Sequence, residues 1–410
     1  MAANRHLLVL SARAGVQRYC AQAGIGVTVV YDDRSAGSLD AAVPPGEQRL
    51  YVERFNDAEL VRSALARAGA DRFDGVCTTH EKGVVLASLL AAELAVHRPL
   101  STRTAVACRD KHHQKALLRG LVGTARSTLV PDIRQWNGEV PVDLLPGVLK
   151  PVLGAATRHT YRLHGPLDAA AARAAVLADP SWQAPRTFVV ESFVDGVEHK
   201  VDGWVTGGRV RFFAVSRYLR PCLDIKDGAL LASVALDPAA APDLYARTRQ
   251  LLDTVLPRLG LRDGVFHLEL FERADGTLVF GECAARVGGG VTVDVLQAMF
   301  GVDLYAAAVL IALGEQPTVP AGAAAYGAVG STFLPSPVHD VPAPRELAAL
   351  PGVLAGRYEV AGGKSVDVRK KTSARAGHAI VAGADVEQVE RRIADVVEWA
   401  GRRVLRGEPR

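Results

Sequence analysis

The sequence predicts a parallel α/β domain followed by α+β lobes, and three observations carry that class. Strand and helix patterns alternate through the first hundred residues, residues 186–282 read mostly as strands, and an amphipathic helix at 386–405 closes a final run of strands. At 410 residues the chain also exceeds the usual size of one compact core. The domains expected are 1–105, 106–316 and a covering subdomain, 317–410.

Residues 6–10 are an apolar run, 16–23 have a helical pattern, and 26–31 are β-branched and apolar, which makes a βαβ opening. A strand at 75–79 runs into an Ala- and Leu-rich helix at 84–94. Open sheets of this kind place ligands at the carboxyl ends of their strands. Glu81 falls there, either as a contact for a substrate amine or as a first-turn carboxylate favoured by the helix dipole. The turn after the first strand, Ser11-Ala12-Arg13-Ala14-Gly15, lacks GxGxxG spacing and demotes a nicotinamide or flavin reading.

Composition narrows the class further. Hydrophobic residues make up 49% and charged residues 22%, which excludes a disordered or collagenous chain. A net charge of +4, with no long basic run, weakens any nucleic-acid reading. The apolar stretch at 7–10 is too short for a signal-peptide core, and that at 84–96 is interrupted by Glu93, so a cytoplasmic protein without a membrane partner is expected. Five scattered cysteines without a CxxC pair suggest reduced thiols, either small core residues or, for one of them, a nucleophile.

Phe266-His267-Leu268-Glu269-Leu270-Phe271 alternates, so His267 and Glu269 share one face and the apolar residues pack on the other. Asp275-Gly276 is a two-residue turn signal that would pair 274 with 277, Glu269 with Glu282 and His267 with Ala284. Opposed like charges are destabilising and call for compensation. Mg²⁺ supplies it, since it takes one or two carboxylates and completes its shell with water and phosphate oxygens. The competing reading is a solvated hairpin face or one raised pKa. Arg286 and Gly288-Gly289-Gly290 follow, ahead of a helix at 293–299, and form either an anion site or a flexible turn with a surface arginine.

Lys150 sits on or at the end of a strand starting at Gly147. The small residues after it, Gly154-Ala155-Ala156-Thr157, could close their N–H groups over phosphates. Gly207-Gly208 is a second two-residue turn, which would set Glu198 opposite Arg217. Glu198 then either pairs with Arg217 or binds a hydroxyl-rich ligand. Asp110 is placed as an N-cap, and Lys111 meets either phosphate or solvent.

Taken in order, Asp110-Lys111, Lys150-Pro151 with its small-residue loop, Glu191-Ser192-Phe193-Val194-Asp195-Gly196 with Glu198, His267-Leu268-Glu269, and Glu282 through Arg286 to Gly290 resemble the motif series of the ATP-grasp superfamily. The style is that of its carboxylate–amine ligases. The resemblance implies ATP held between two α+β lobes behind the N-terminal domain. It assigns phosphates to Lys111, Lys150 and the loop of Ala155, Ala156 and Thr157. Adenine goes to the backbone of Glu191 and Val194 near Phe193, and ribose to Glu198. Mg²⁺ goes to Glu269 and Glu282, and the acyl phosphate to Arg286. Ala284 stands where the family commonly has Asn, so a second Mg²⁺ loses a ligand, and His267 could occupy that region. His159 stands where a glycine is common.

The activity implied is ATP-dependent amide formation on amino acids or small acids through an acyl phosphate. Alternatives are a thiol acceptor on a carrier protein, or a nucleotide-binding regulatory protein without turnover. Substrates would meet Glu81, Arg217, Gly289 and residues near Gly362-Gly363, and a homodimer stays open.

Overall fold

The computed structural model describes residues 5–40, 47–97, 99–179, 186–320, 325–337, 341–360, 366, 367, 369, 371, 372 and 374–406. Gly362 and Gly363 lie outside them. The chain opens on β1 (His6–Leu10), β2 (Gly26–Tyr31), β3 (Gln48–Tyr51) and β4 (Gly75–Thr78), which form a parallel sheet in the order β3-β2-β1-β4. Both faces of β1 are covered: Leu7 and Val9 join one core cluster and Leu8 and Leu10 another. The helix Val84–Glu93 follows β4 after a short turn that begins at Glu81. Among the described residues no single helix is long and apolar enough to cross a membrane.

Next come β5 (Gly123–Thr124), β6 (Ser127–Val130), β7 (Gly147–Pro151), β8 (Tyr161–Leu163) and β9 (Phe188–Ser192). Strands β6 to β9 make a small sheet, β6-β9-β7-β8, with the helix Pro166–Ala178 packed on it through Ala169, Ala172 and Val176. The remaining strands are β10 (Val197–Thr206), β11 (Arg209–Tyr218), β12 (Ala232–Leu236), β13 (Gly264–Glu272), β14 (Leu278–Ala284), β15 (Ala328–Leu334), β16 (Val353–Tyr358) and β17 (Gly377–Gly383). With β5 they form a nine-stranded sheet, β16-β17-β15-β12-β11-β10-β13-β14-β5. The strands beyond residue 317 therefore continue the central sheet, and the helix Val386–Arg406 seals them through Val389, Ile393 and Val396.

Both hairpins differ from a simple count back from the turn. In β13–β14, Arg273 pairs with Thr277 at 3.0 Å, so the loop has three residues and Gly276 adopts φ +80°. Pairing near the turn is one residue off the expected register, as Leu270↔Phe280 shows. Gly281 then forms a β-bulge that restores the predicted pairs Glu269↔Glu282 and His267↔Ala284. Two departures cancel at the position that matters.

In β10–β11 the two-residue turn is as expected, with Gly207 and Gly208 both at positive φ. A bulge at Arg211 then shifts the register, so Arg217 faces His199 rather than Glu198. The one-residue slip turns Arg217 to the other side of the sheet, where it pairs with Glu390 of the C-terminal helix. The expected Glu198–Arg217 pair does not form.

A Cβ at Gly281 would lie 2.9 Å from the Glu269 carbonyl oxygen, a backbone atom with no freedom to move aside. Gly281→Ala should lower the unfolding free energy by about 1–3 kcal/mol in denaturant titration. A change below about 0.5 kcal/mol would mean that the bulge absorbs the methyl group.

Candidate active site

Under the β13–β14 hairpin, Phe266, Leu268, Leu270 and Phe280 pack with Leu252, Val255 and Leu256 of the helix Pro242–Leu259. That burial fixes which face is apolar and turns His267, Glu269 and Glu282 upward into a cavity of about 390 Å³. The small sheet closes the cavity through Lys150, Glu191, Phe193 and Val194, together with the loop of Ala155, Ala156 and Thr157. Lys111, Glu198, Arg286, Gly289 and Glu81 also line it. Of the sequence-predicted site residues in the described chain, Arg217 alone does not.

The helix Lys111–Leu118 organises one wall. Asp110 caps it by accepting the His113 N–H at 2.8 Å. Lys111, Gln114, Lys115 and Leu118 are its buried face. The Gln114 side chain accepts the Cys283 N–H and donates to the Cys283 carbonyl, at 2.9 and 2.8 Å, standing in for a neighbouring strand along β14. Lys115 donates to the bulge carbonyl of Gly281 at 2.8 Å and lies 2.9 Å from Glu191. Lys150 takes the other Glu191 oxygen at 3.0 Å. Glu191 is thus a side-chain bridge between two lysines, beyond its expected backbone role.

Lys111 lies 2.8 Å from Glu282 and donates to the Gly154 carbonyl, also at 2.8 Å. Burial works against ionisation of Glu282, but Lys111 and Lys150 outweigh it and hold the carboxyl well below its ordinary range. His267 Nδ1 bonds Asp202 at 2.8 Å and Nε2 lies 3.5 Å from Glu269. Burial alone would lower the pKa of this ring; Asp202 and Glu269 raise it instead to about 9. Lys111 beside Glu282 and His267 beside Glu269 therefore supply positive charge to the opposed glutamates, in addition to the divalent cation expected from the sequence. Both ring nitrogens of His267 thus face carboxylates, Asp202 and Glu269.

Glu269 and Glu282 nevertheless suit Mg²⁺. Both reach the cavity, and carboxylate oxygens are the donors this ion prefers; Lys111 would share Glu282 Oε2 with it. Among the described residues no group of three or more acidic, His or Cys side chains is arranged to hold a metal, so one ion would complete its shell with water and phosphate oxygens. In the loop beyond Lys150, Ala156, Thr157 and His159 all have φ near +55°. His159 thus adopts the left-handed conformation that a glycine favours.

Glu198 accepts the Cys222 N–H at 2.7 Å, and burial with Glu269 nearby pushes its pKa up to about 7. Glu81 is engaged on both oxygens, by Arg109 and by Arg286 Nε at 2.5 Å. It therefore positions Arg286 at the cavity wall.

Asp202, Lys200, Lys115, Gln114 and Arg109 complete the site and were not anticipated. Signals for most of them existed: Glu198, Lys200 and Asp202 alternate along β10, and 111, 114, 115 and 118 follow helical spacing. The deciding comparison concerns residues 144–294, which match the family model described as ATP-grasp domain. Residues 144–294 therefore carry an ATP-grasp domain.

The chain is also similar to carnosine synthase 1 of Mus musculus, 26% identical over 294 residues. That alignment covers 67% of this chain and 35% of the synthase, so the chain spans about a third of that relative's length. It is also similar to the L-arginine-specific L-amino acid ligase of Bacillus subtilis, 23% identical over 291 residues, 69% of this chain and 68% of the ligase. The crystal structure of the L-amino acid ligase from Bacillus licheniformis superposes with a TM-score of 0.75 at 18% identity, over 96% of this chain and 97% of that one. The two chains therefore share one fold over nearly their whole length.

Glu81 contributes stability with a definite pH signature. Burial opposes its ionisation, yet Arg286 and Arg109 hold its pKa near 2, below the ordinary 4.5. The contribution is complete above pH 4.5 and is lost as pH falls toward 2. Glu81→Gln should cost about 3 kcal/mol at neutral pH, because two buried guanidinium groups lose their carboxylate. The gap between the two unfolding curves should close progressively below pH 4.5; a gap independent of pH would contradict the assignment.

Proposed function

We propose that this chain is an ATP-dependent carboxylate–amine ligase, forming an amide through an acyl phosphate on amino acids or small carboxylic acids. One observation carries the reading: Glu269 and Glu282, opposed across a hairpin, open on the same cavity as Lys111, Lys150 and Arg286. Two carboxylates for a divalent cation beside three fixed cations for phosphate oxygens are the parts that phosphoryl transfer needs. The names of the ligase relatives support the amino-acid substrate class.

In this reading the adenine rests on the 191–194 backbone beside Phe193, whose ring lies 6.0 Å from the Arg162 guanidinium. Glu198 accepts from ribose hydroxyls. Lys111, Lys150 and the loop of Ala155, Ala156 and Thr157 hold the phosphates. Mg²⁺ on Glu269 and Glu282 would offset the charge of the phosphate oxygens.

A carboxylate oxygen attacks the γ-phosphorus, the bond to the β–γ bridging oxygen breaks, and ADP leaves. The amine then attacks the acyl carbon, phosphate leaves with the former carboxylate oxygen, and the amine nitrogen gives up a proton. Arg286, held by Glu81, steadies the charge in both steps. The first step joins two bound reactants, so positioning supplies much of the rate.

Incubation with ATP, Mg²⁺ and pools of amino acids and small carboxylates should yield ADP, phosphate and a condensed product by mass spectrometry. AMP and pyrophosphate would contradict the mechanism. Glu282→Ala should lower ADP release by roughly a hundredfold or more while circular dichroism stays unchanged. Lys150→Ala should raise the KM for ATP by about tenfold, and an unchanged KM would remove Lys150 from the phosphate site.

A further inference from the structure

Lys111 and Lys150 each have a carboxylate within 3.0 Å. Lys200 does not. It lines the same cavity at 7% exposure, yet among the described residues no carboxylate comes within 4.0 Å of its Nζ. Its ammonium donates to Thr292 Oγ1 at 3.0 Å and lies 5.5 Å from the centre of the Tyr218 ring. An ammonium has three donors, so this arrangement leaves donors for a ligand. Burial lowers its pKa against the pull of Asp202 and Glu269, which favour the charged form from beyond ion-pair distance.

The location says which anion. Lys200 is the direct cross-strand partner of Glu269, which in turn faces Glu282. It therefore sits one strand, roughly 4.8 Å, beyond the carboxylates assigned to the reacting centre. Thr292 holds its ammonium, and Ser233, paired with Tyr218, and Ser331, paired with Ser233, add hydroxyl groups to the lining of the same cavity. An anionic group there would belong to a substrate whose reacting atom lies a few bonds away.

During ligation the donor carboxylate is consumed, whereas an amino-acid acceptor carries its own carboxylate through unchanged. A fixed, desolvated cation that keeps one partner from binding to product release suits the second group. We propose that Lys200 anchors the carboxylate of the amine substrate, so that the acceptor is an α-amino acid rather than a simple amine. This rests on the ligase reading and adds to it the acceptor class and the residue that selects it.

The test compares L-amino acids with their carboxamides as acceptors, using the donor found in the pooled screen. Hydroxylamine is run in parallel to trap the acyl phosphate as hydroxamate. In the unaltered enzyme kcat/KM for the acid should exceed that for the matched amide by about tenfold or more. Lys200→Met should bring that ratio close to one, mainly through KM, with hydroxamate formation falling by a smaller factor. Thr292→Val, which removes only the hydroxyl holding the ammonium, should reduce the ratio in the same direction.

Equal use of acids and amides by the unaltered enzyme would overturn the assignment, and so would a preserved ratio in Lys200→Met. A matching fall in hydroxamate and amide formation would place Lys200 on the donor instead. No ADP release from the unaltered enzyme with any carboxylate would overturn the ligase reading itself, whereas release without discrimination overturns only the role of Lys200.

Discussion

Two carboxylates held face to face across an antiparallel pair are unstable unless positive charge stands beside them, and the site is organised around that constraint. Glu269 and Glu282 share a register position on β13 and β14. Lys111 reaches Glu282 from the helix above, and His267, kept protonated by Asp202, stands beside Glu269. In the proposed function Lys111 also meets the phosphates of ATP, so one charge would both stabilise the protein and prepare it for a ligand.

Holding the carboxylates in place requires support on both sides of the sheet. Below, the aromatic and aliphatic residues of the hairpin are buried against the helix Pro242–Leu259. Above, Gln114 and Lys115 satisfy the main chain of β14 around Glu282. Glu81 extends the support to the N-terminal domain, since it fixes Arg286 from the turn that follows β4. A carboxylate of the first domain thus orients a cation of the second, and the domains depend on one another at the site.

Much of this was legible in the sequence because it follows local periodicity. Alternation in 266–271 set the faces of β13, and the small residues at 154–157 marked the loop over the cavity. Bulges were not legible. Gly281 and Arg211 each insert one residue into a ladder, and no local pattern distinguishes an inserted residue from a paired one. The inserted residue at Gly281 offset a three-residue turn and left the expected glutamate pair intact. At Arg211 nothing offset it, and Arg217 moved to the far face. Lys115, Gln114 and Asp202 were missed for another reason: charged or polar residues at buried positions look like surface residues until their partners, distant in sequence, are known.

The central claim is that the γ-phosphoryl group of ATP passes to a carboxylate oxygen within this cavity. The most direct measurement uses a donor labelled with ¹⁸O in its carboxyl group and follows the label through one turnover by mass spectrometry. The account predicts one labelled oxygen in the released inorganic phosphate. Unlabelled phosphate, or label recovered in AMP, would contradict it.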